Sequence, residues 1–147
     1  MKKNRKKTAL VIDGQGGGIG VQLVRGLCGK LPEDCELICV GTNALATSAM
    51  LKAGASRGAT GENAMIYNAG RADIILGPIG TILNNGIMGE VSPAMAAAVT
   101  GSDAVKLLIP SNTCGIFVAG AEDCKLDEAV RRAVARALKE LSDDNAL

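Results

Sequence analysis

The stretch Val11-Ile12-Asp13-Gly14-Gln15-Gly16-Gly17-Gly18-Ile19-Gly20 decides the fold. It joins an apolar run, Thr8 to Asp13, to a loop holding five glycines in seven residues. Beyond the loop, Ile19, Leu23, Val24 and Leu27 recur at the spacing of one helical face, with Arg25 and Lys30 off that face. A short apolar run closed by glycine reads as a buried strand, so the order is strand, glycine loop, amphipathic helix. Bare backbone at Gly14, Gly18 and Gly20 then stands where a pyrophosphate would approach a helix N-terminus, whose N–H groups and dipole favour an anion. The same glycines also suit a tight strand-to-helix turn with no ligand.

Working outward, Leu37 to Val40 is expected to form a second strand, closed by Gly41-Thr42-Asn43. A helix follows over 44–53, with Thr42 or Asn43 as its cap and Gly54 as its stop. Ala64 to Tyr67 and Ala72 to Leu76 are the third and fourth strands expected, with Gly58-Ala59-Thr60-Gly61 a plain turn between Arg57 and Glu62. Short helices are predicted over 81–85 and 93–99, where Pro93 suits a first turn. Asn84 and Asn85 read as a helix stop or as contacts to a base or ribose. Val105 to Ile109 is a fifth strand, Gly115 to Ala119 a sixth, and 126–141 the last helix, with Leu126, Val130, Val134 and Leu141 on its apolar side.

Apolar strands alternating with helices indicate a parallel sheet covered on both faces. The right-handed crossover rule then predicts an α/β, doubly wound, mostly parallel, Rossmann-like fold. It should form a single domain over residues 8–147, preceded by a disordered basic tail over residues 1–7.

Composition narrows the function. The chain has 147 residues, 48% of them hydrophobic, which suits one domain with its own core. Tyr67 and Phe117 are its aromatics, too few to stack bases, so a nucleic acid is not an expected partner. No apolar run approaches the ~18 residues of a membrane span, and Asp13 interrupts the one run that resembles a signal peptide. The net charge is +1, but Lys2, Lys3, Arg5, Lys6 and Lys7 supply five of the sixteen basic residues, leaving eleven against fifteen acidic ones. The body of the chain is therefore acidic.

Histidine is absent, which removes the commonest general base, the usual zinc nitrogen ligand and every Ser-His or Cys-His pair. Five cysteines, an odd number, point to reduced thiols and a cytoplasmic setting. Cys35 and Cys39 fall on one face of a strand, read as structural and not as a metal site. The little-polar helix Pro93 to Val99 suggests a covered face and hence a homodimer.

In such a sheet ligands bind beyond the carboxyl ends of the strands. The binding residues expected there are Asp13, Gly14, Gln15, Gly16, Gly17, Gly18, Ile19, Gly20, Thr42, Asn43, Gly77, Pro78, Thr81, Ser111 and Asn112. They offer backbone N–H groups and neutral hydrogen bonds but no cation. The ligand they imply is small and phosphate-containing: NAD(P) or another nucleotide. Asp13 is out of place beside a phosphate. It either accepts loop N–H bonds, holds Mg²⁺, binds a ligand hydroxyl or caps an Asx-turn. Cys114 is the thiol nearest such a ligand, with nothing adjacent in sequence to activate it.

The spacing Gly14-x-x-x-Gly18-x-Gly20 resembles the glycine loop of short-chain dehydrogenases. The resemblance ends there. Tyr67 is followed by Arg71 and not by the lysine of a Tyr-x-x-x-Lys pair, and the second strand ends without the carboxylate that would hold an adenosine ribose. A broader resemblance runs from about Thr8 to about Leu138. The segments VIDGQGGGIG (11–20), GTNALATSAMLKAGA (41–55), RGATGENA (57–64), DIILGPIG (73–80) and GEVSPAMA (89–96) are similar to those of an uncharacterised bacterial family of small Rossmann-like proteins. That resemblance implies the fold and a cytosolic setting, and brings no catalytic residue. The reading that follows is a nucleotide- or dinucleotide-binding module with no identified reaction, whose expected role is to sense a ligand. The alternative is a small enzyme acting on a phosphorylated or nucleotide substrate, with Asp13 as base or Mg²⁺ ligand.

Overall fold

The computed structural model describes residues 5–111 and 115–142. The expectations for Asn112, Cys114 and the first lysines of the tail lie outside them. Five parallel strands, β1 (Lys7–Asp13), β2 (Cys35–Gly41), β3 (Arg57–Thr60), β4 (Ile74–Pro78) and β5 (Val105–Ile109), form one sheet in the order β3-β2-β1-β4-β5. The helices are α1 (Gly18–Leu27), α2 (Ala44–Ala53), α3 (Glu62–Ala69), α4 (Pro93–Thr100) and α5 (Leu126–Ser142), with a 3-10 turn at Ile79–Ile82. This is the single-domain, doubly wound, Rossmann-like α/β architecture.

Alternation along the strands builds two cores. Ala9 and Val11 of β1, Leu37 and Cys39 of β2, and Ile74 and Leu76 of β4 face one side, packed against Leu23, Val24 and Leu27 of α1, Met50 of α2 and Val130 and Val134 of α5. Leu10, Ile12, Ile38, Val40 and Ile75 face the other, against Met65 of α3 and Met95 and Val99 of α4. Strands buried on both faces are apolar throughout, which is why period-2 patterning is absent from them. Because β1 is followed outward by β2 and β3 on one side and by β4 and β5 on the other, the strand order reverses between β1 and β4. Their carboxyl ends diverge there and leave a crevice.

Four elements depart from the sequence expectation, among them the helix predicted over 81–85, which is a 3-10 turn over Ile79–Ile82 that ends before Asn85. Ala64 to Tyr67 lies inside α3 and is not a strand: Gly61 opens a helix whose Met65 and Ala69, four apart, are buried on one face. The expected turn at Gly58 to Gly61 is instead largely β3, an edge strand registered on β2 from Ile38↔Arg57 to Gly41↔Thr60. Arg57 donates from Nε and a terminal nitrogen to the Glu36 carboxylate at 2.6 and 2.9 Å, tying that edge. Gly115 to Ala119 forms no sixth strand, and its Phe117 is 72% exposed.

At the N-terminus, Lys7, assigned by sequence to the tail, is the first residue of β1. Arg5 pairs with Asp73 at 2.8 Å.

Candidate functional site

The glycine loop crosses the crevice, and its five glycines divide by what holds them. A Cβ on Gly14 would come within 2.6 Å of Thr42 Oγ1 and 2.9 Å of Ile87 Cγ2. Gly17 sits at φ 75°, ψ 18° as the residue before α1, with Ala46 Cα only 3.2 Å from where a Cβ would be. Gly20 packs against Met50 and Asp13. These three are required by the fold. A Cβ on Gly16 or Gly18 would meet nothing within 4 Å, and neither backbone is left-handed.

Asp13 closes β1 and is buried, 5% exposed. Its Oδ1 accepts the Gly14 N–H at 2.8 Å and its Oδ2 the Gly20 N–H at 2.7 Å. Of the roles open to it by sequence, acceptance of loop N–H bonds is the one the geometry displays. α1 has no side-chain cap of its own, and Asp13 supplies one from the strand. Burial pushes its carboxyl above the ordinary value; the N–H bonds pull the other way, and the charge of Glu90 adds to the rise.

Glu90 is the residue the sequence reading missed. It lies on the loop between β4 and α4, yet its Oε1 accepts from Thr42 Oγ1 and Asn43 Nδ2, both at 2.6 Å, and from the Gln15 N–H at 3.1 Å. The Thr42 hydroxyl, with Asn43 and Gln15, holds its carboxyl below the ordinary value against a desolvation that opposes them. Three loops are tied together at this carboxylate. It arrives on a left-handed turn in which Asn85, Ile87 and Met88 have φ 61°, 53° and 56°. For the β-branched Ile87 that conformation is costly, by about 1–3 kcal/mol. Nothing in residues 85–90 signals such a turn except Asn85-Gly86 and Gly89.

A cavity of about 390 Å³ opens at the crevice, lined by Asp13, Gly14, Gln15, Gly16, Gly17, Gly18, Ile19, Pro78, Ile87, Met88 and Ser111. Nine of the expected site residues therefore meet around one space. Of the others, Gly20 stands behind Asp13, and Gly77 packs on the Ile12 carbonyl. Thr81 is buried and donates to the Pro78 carbonyl at 2.9 Å. Thr42 and Asn43 hold Glu90 at the margin. Asn85 belongs to the left-handed turn.

The electrostatics are mixed. Gly17 N–H is spent on the Gly14 carbonyl at 2.9 Å, Gln15 N–H on Glu90, and Gly14 and Gly20 N–H on Asp13. Among the described residues, the N–H groups of Gly16 and Gly18 have no hydrogen-bond partner. They sit at the positive end of α1. No Lys or Arg among the described residues lines the cavity, and two carboxylates flank it.

Outside the crevice, Arg71, just past the end of α3, stacks its guanidinium 3.7 Å over the ring of Tyr67 on that helix, a cation–π contact. Burial pushes the thiols of Cys35 and Cys39 up to about 11. Among the described residues no helix is long and apolar enough to cross a membrane.

Residues 8–142 match the model of a family described as "Domain of unknown function (DUF3842)". Among curated proteins nothing matches significantly. One similar solved structure is a dodecameric FMN-dependent Ubix-like decarboxylase from Escherichia coli O157:H7. It is 16% identical over 92% of this chain and 94% of that one, with a TM-score of 0.48. Another, AibC, is 18% identical over 93% of this chain and 44% of that one, with a TM-score of 0.43.

Proposed function

The chain belongs to the DUF3842 family, whose description assigns no activity, and from that premise we propose that it binds a nucleotide by its phosphate in the crevice between β1 and β4. The observation that carries this reading is the state of Gly16 and Gly18. Both line the cavity, both keep an N–H with no partner among the described residues, and neither needs to be glycine for packing or for φ. A side chain at either position would project into open space, the space a phosphate oxygen would take.

Binding of this kind is moderate in strength. The helix end contributes about 0.3–1 kcal/mol toward an anion, and the N–H bonds must supply most of the rest. The charges on Asp13 and Glu90 oppose it. A catalytic reading with Asp13 as base or Mg²⁺ ligand has less support, because each of its oxygens already accepts a backbone N–H. A role as ligand-sensing module fits the donor set better.

A melting-temperature screen tests the reading, with NAD⁺, NADP⁺, FMN, AMP, ADP and ribose 5-phosphate each at millimolar concentration, followed by turnover assays on every hit. A ligand at ~100 times its dissociation constant stabilises the fold by roughly 2.7 kcal/mol. Failure of every phosphate to shift the transition would leave the glycines as a turn only.

The protein is further proposed to act as a cytoplasmic homodimer. Support comes from the free thiols at Cys28, Cys35, Cys39 and Cys124 and from the exposed Ile116, Phe117 and Val118, at 37%, 72% and 38%. α4, whose composition suggested a face covered by a partner, turns Met95, Ala96 and Val99 into the core of its own chain.

A further inference from the structure

Lysine and arginine side chains, missing from the crevice among the described residues, line a second cavity of about 350 Å³ at the β5 edge of the sheet. Lys106, Leu107 and Leu108 of β5 bound it on one side, and Arg132, Ala133 and Arg136 of α5 on another. We infer that this edge takes an extended acidic segment of a partner protein, which adds to β5 as a sixth strand. The inference is independent of nucleotide binding in the crevice.

β5 ends the strand order and pairs with β4 alone. Its Val105 N–H donates to the Asp73 carbonyl at 3.0 Å, on the β4 side. Backbone groups alternate in direction along a strand, so Lys106 and Leu108 turn their N–H and C=O groups to the open side. Those groups have no partner among the described residues. They recur at about 6.6 Å, two residues of strand rise, which is the repeat of a strand laid beside them. Side chains of successive residues point to opposite faces of a sheet. A cavity lined by Lys106, Leu107 and Leu108 together therefore wraps the edge, where a chain can lie along it.

The charge of this edge selects an anion. Arg132 and Arg136 stand one turn apart on α5, with side chains 73% and 60% exposed. Each gives an N–H to a glutamate of its own helix, Arg132 to Glu128 at 2.6 Å and Arg136 to Glu140 at 2.7 Å. Arg132 keeps its Nε and one terminal nitrogen, and Arg136 both terminal nitrogens, without a partner among the described residues. Lys106 Nζ donates to the Ser102 carbonyl and has further hydrogens to give.

An acidic peptide meets both halves of this surface. Its backbone returns a C=O to each N–H of the edge and an N–H to each C=O, and its carboxylates take the spare guanidinium N–H groups. A small anion would engage the guanidiniums and leave the strand edge as it is. A basic segment would meet three cations.

Fluorescence anisotropy tests this with a labelled peptide of alternating glutamate and valine, about eight residues long and capped at both ends. The wild type is expected to bind it at least about tenfold more tightly than the same peptide with lysine for glutamate. The preference should shrink as salt rises from about 0.05 to 0.5 M. The acidic peptide N-methylated throughout keeps its carboxylates and loses its N–H groups, and should bind at least about tenfold more weakly. Arg132→Gln and Arg136→Gln should each weaken the acidic peptide about threefold. Leu108→Pro removes an outward N–H, leaves the ladder to β4, and should abolish binding. If it does not fold, the N-methylated peptide decides the point. No binding of the acidic peptide at millimolar concentration, equal binding of the lysine or N-methylated peptide, or indifference to both arginine substitutions overturns the inference. A wild-type dimer that Leu108→Pro converts to a monomer, with no peptide bound, would give the edge to a second copy and overturn it too. Binding seen only after removal of residues 143–147, which include Asp143 and Asp144, would give the edge to that segment and overturn it likewise.

Discussion

The Asp13 carboxylate, at the end of β1, accepts the Gly20 N–H of the first turn of α1 at 2.7 Å. Strand and helix are thereby joined across the glycine loop by a side chain, and the acid at the entrance of a phosphate-like loop is accounted for by the backbone it satisfies. The same carboxylate takes up N–H groups that an anion would otherwise use, which leaves the backbone N–H groups of Gly16 and Gly18 without a partner among the described residues.

Replacing Asp13 by Asn tests this cap. Asn keeps one acceptor oxygen, but its amide would face the second N–H, donor against donor. Asp13→Asn is expected to cost about 1–3 kcal/mol in urea denaturation. A variant as stable as the wild type would show that the two N–H bonds contribute nothing net.

The glycines should separate by substitution. Gly17→Ala forces a side chain into the left-handed region and against Ala46, at a cost of about 1–2 kcal/mol. Gly18→Val adds bulk to open space and should stay within about 0.5 kcal/mol of the wild type. It should also remove the melting shift given by any nucleotide that stabilises the wild type. A shift that survives in Gly18→Val places the phosphate elsewhere.

The two carboxylates should respond to pH with opposite signs. Glu90 is held below its ordinary 4.5, so its contribution to stability is present above that value and is lost as pH falls through its folded one. Asp13 is raised above its ordinary 3.8, so its contribution is full below that value and is lost as pH rises through its folded one. Denaturation of wild type and Glu90→Gln between pH 3 and 7 should therefore show the wild-type advantage disappearing at the acid end. An advantage that is constant across the range would mean that Glu90 is not the titrating group.

Thiol reactivity should follow exposure. Unfolded protein should titrate as five free thiols, one for each cysteine of the sequence. In the native state the exposed Cys28 should react first with an alkylating agent, and Cys39, buried and near 11, last. Mass mapping of the modified peptides reads the order. Early labelling of Cys39 would contradict the packing of β2.

Self-association is expected to depend on Phe117. Light scattering at micromolar concentration should give the mass of a dimer for the wild type and of a monomer for Phe117→Ser. A wild-type monomer that persists on concentration, or a dimer indifferent to Phe117, rules the proposed surface out.

Much of this architecture is carried by local pattern. β1, β2, β4 and β5 are short runs of Val, Ile and Leu, and α1 and α5 are amphipathic at helical period, so each declares itself within its own window. β3 does not: Arg57-Gly58-Ala59-Thr60 has neither β-branched bulk nor apolar run, and it becomes a strand because β2 offers it an unpaired edge. α3 fails for the converse reason. Ala64-Met65-Ile66-Tyr67 has strand-like residues, and only the burial of Met65 and Ala69 against the sheet selects the helix.

At the crevice the same division holds. The sequence by itself determined that a glycine loop would follow the first strand and open the first helix, because glycine content and apolar periodicity are local properties. Tertiary structure alone decided which of those glycines are free, since Gly14, Gly17 and Gly20 are claimed by Thr42, Ala46 and Met50 from other elements. It also decided that Glu90 stands 2.6 Å from Thr42 and Asn43 across nearly fifty residues of chain. A carboxylate's position depends on how the β4–α4 loop folds back over β2, and no spacing along the chain encodes that return.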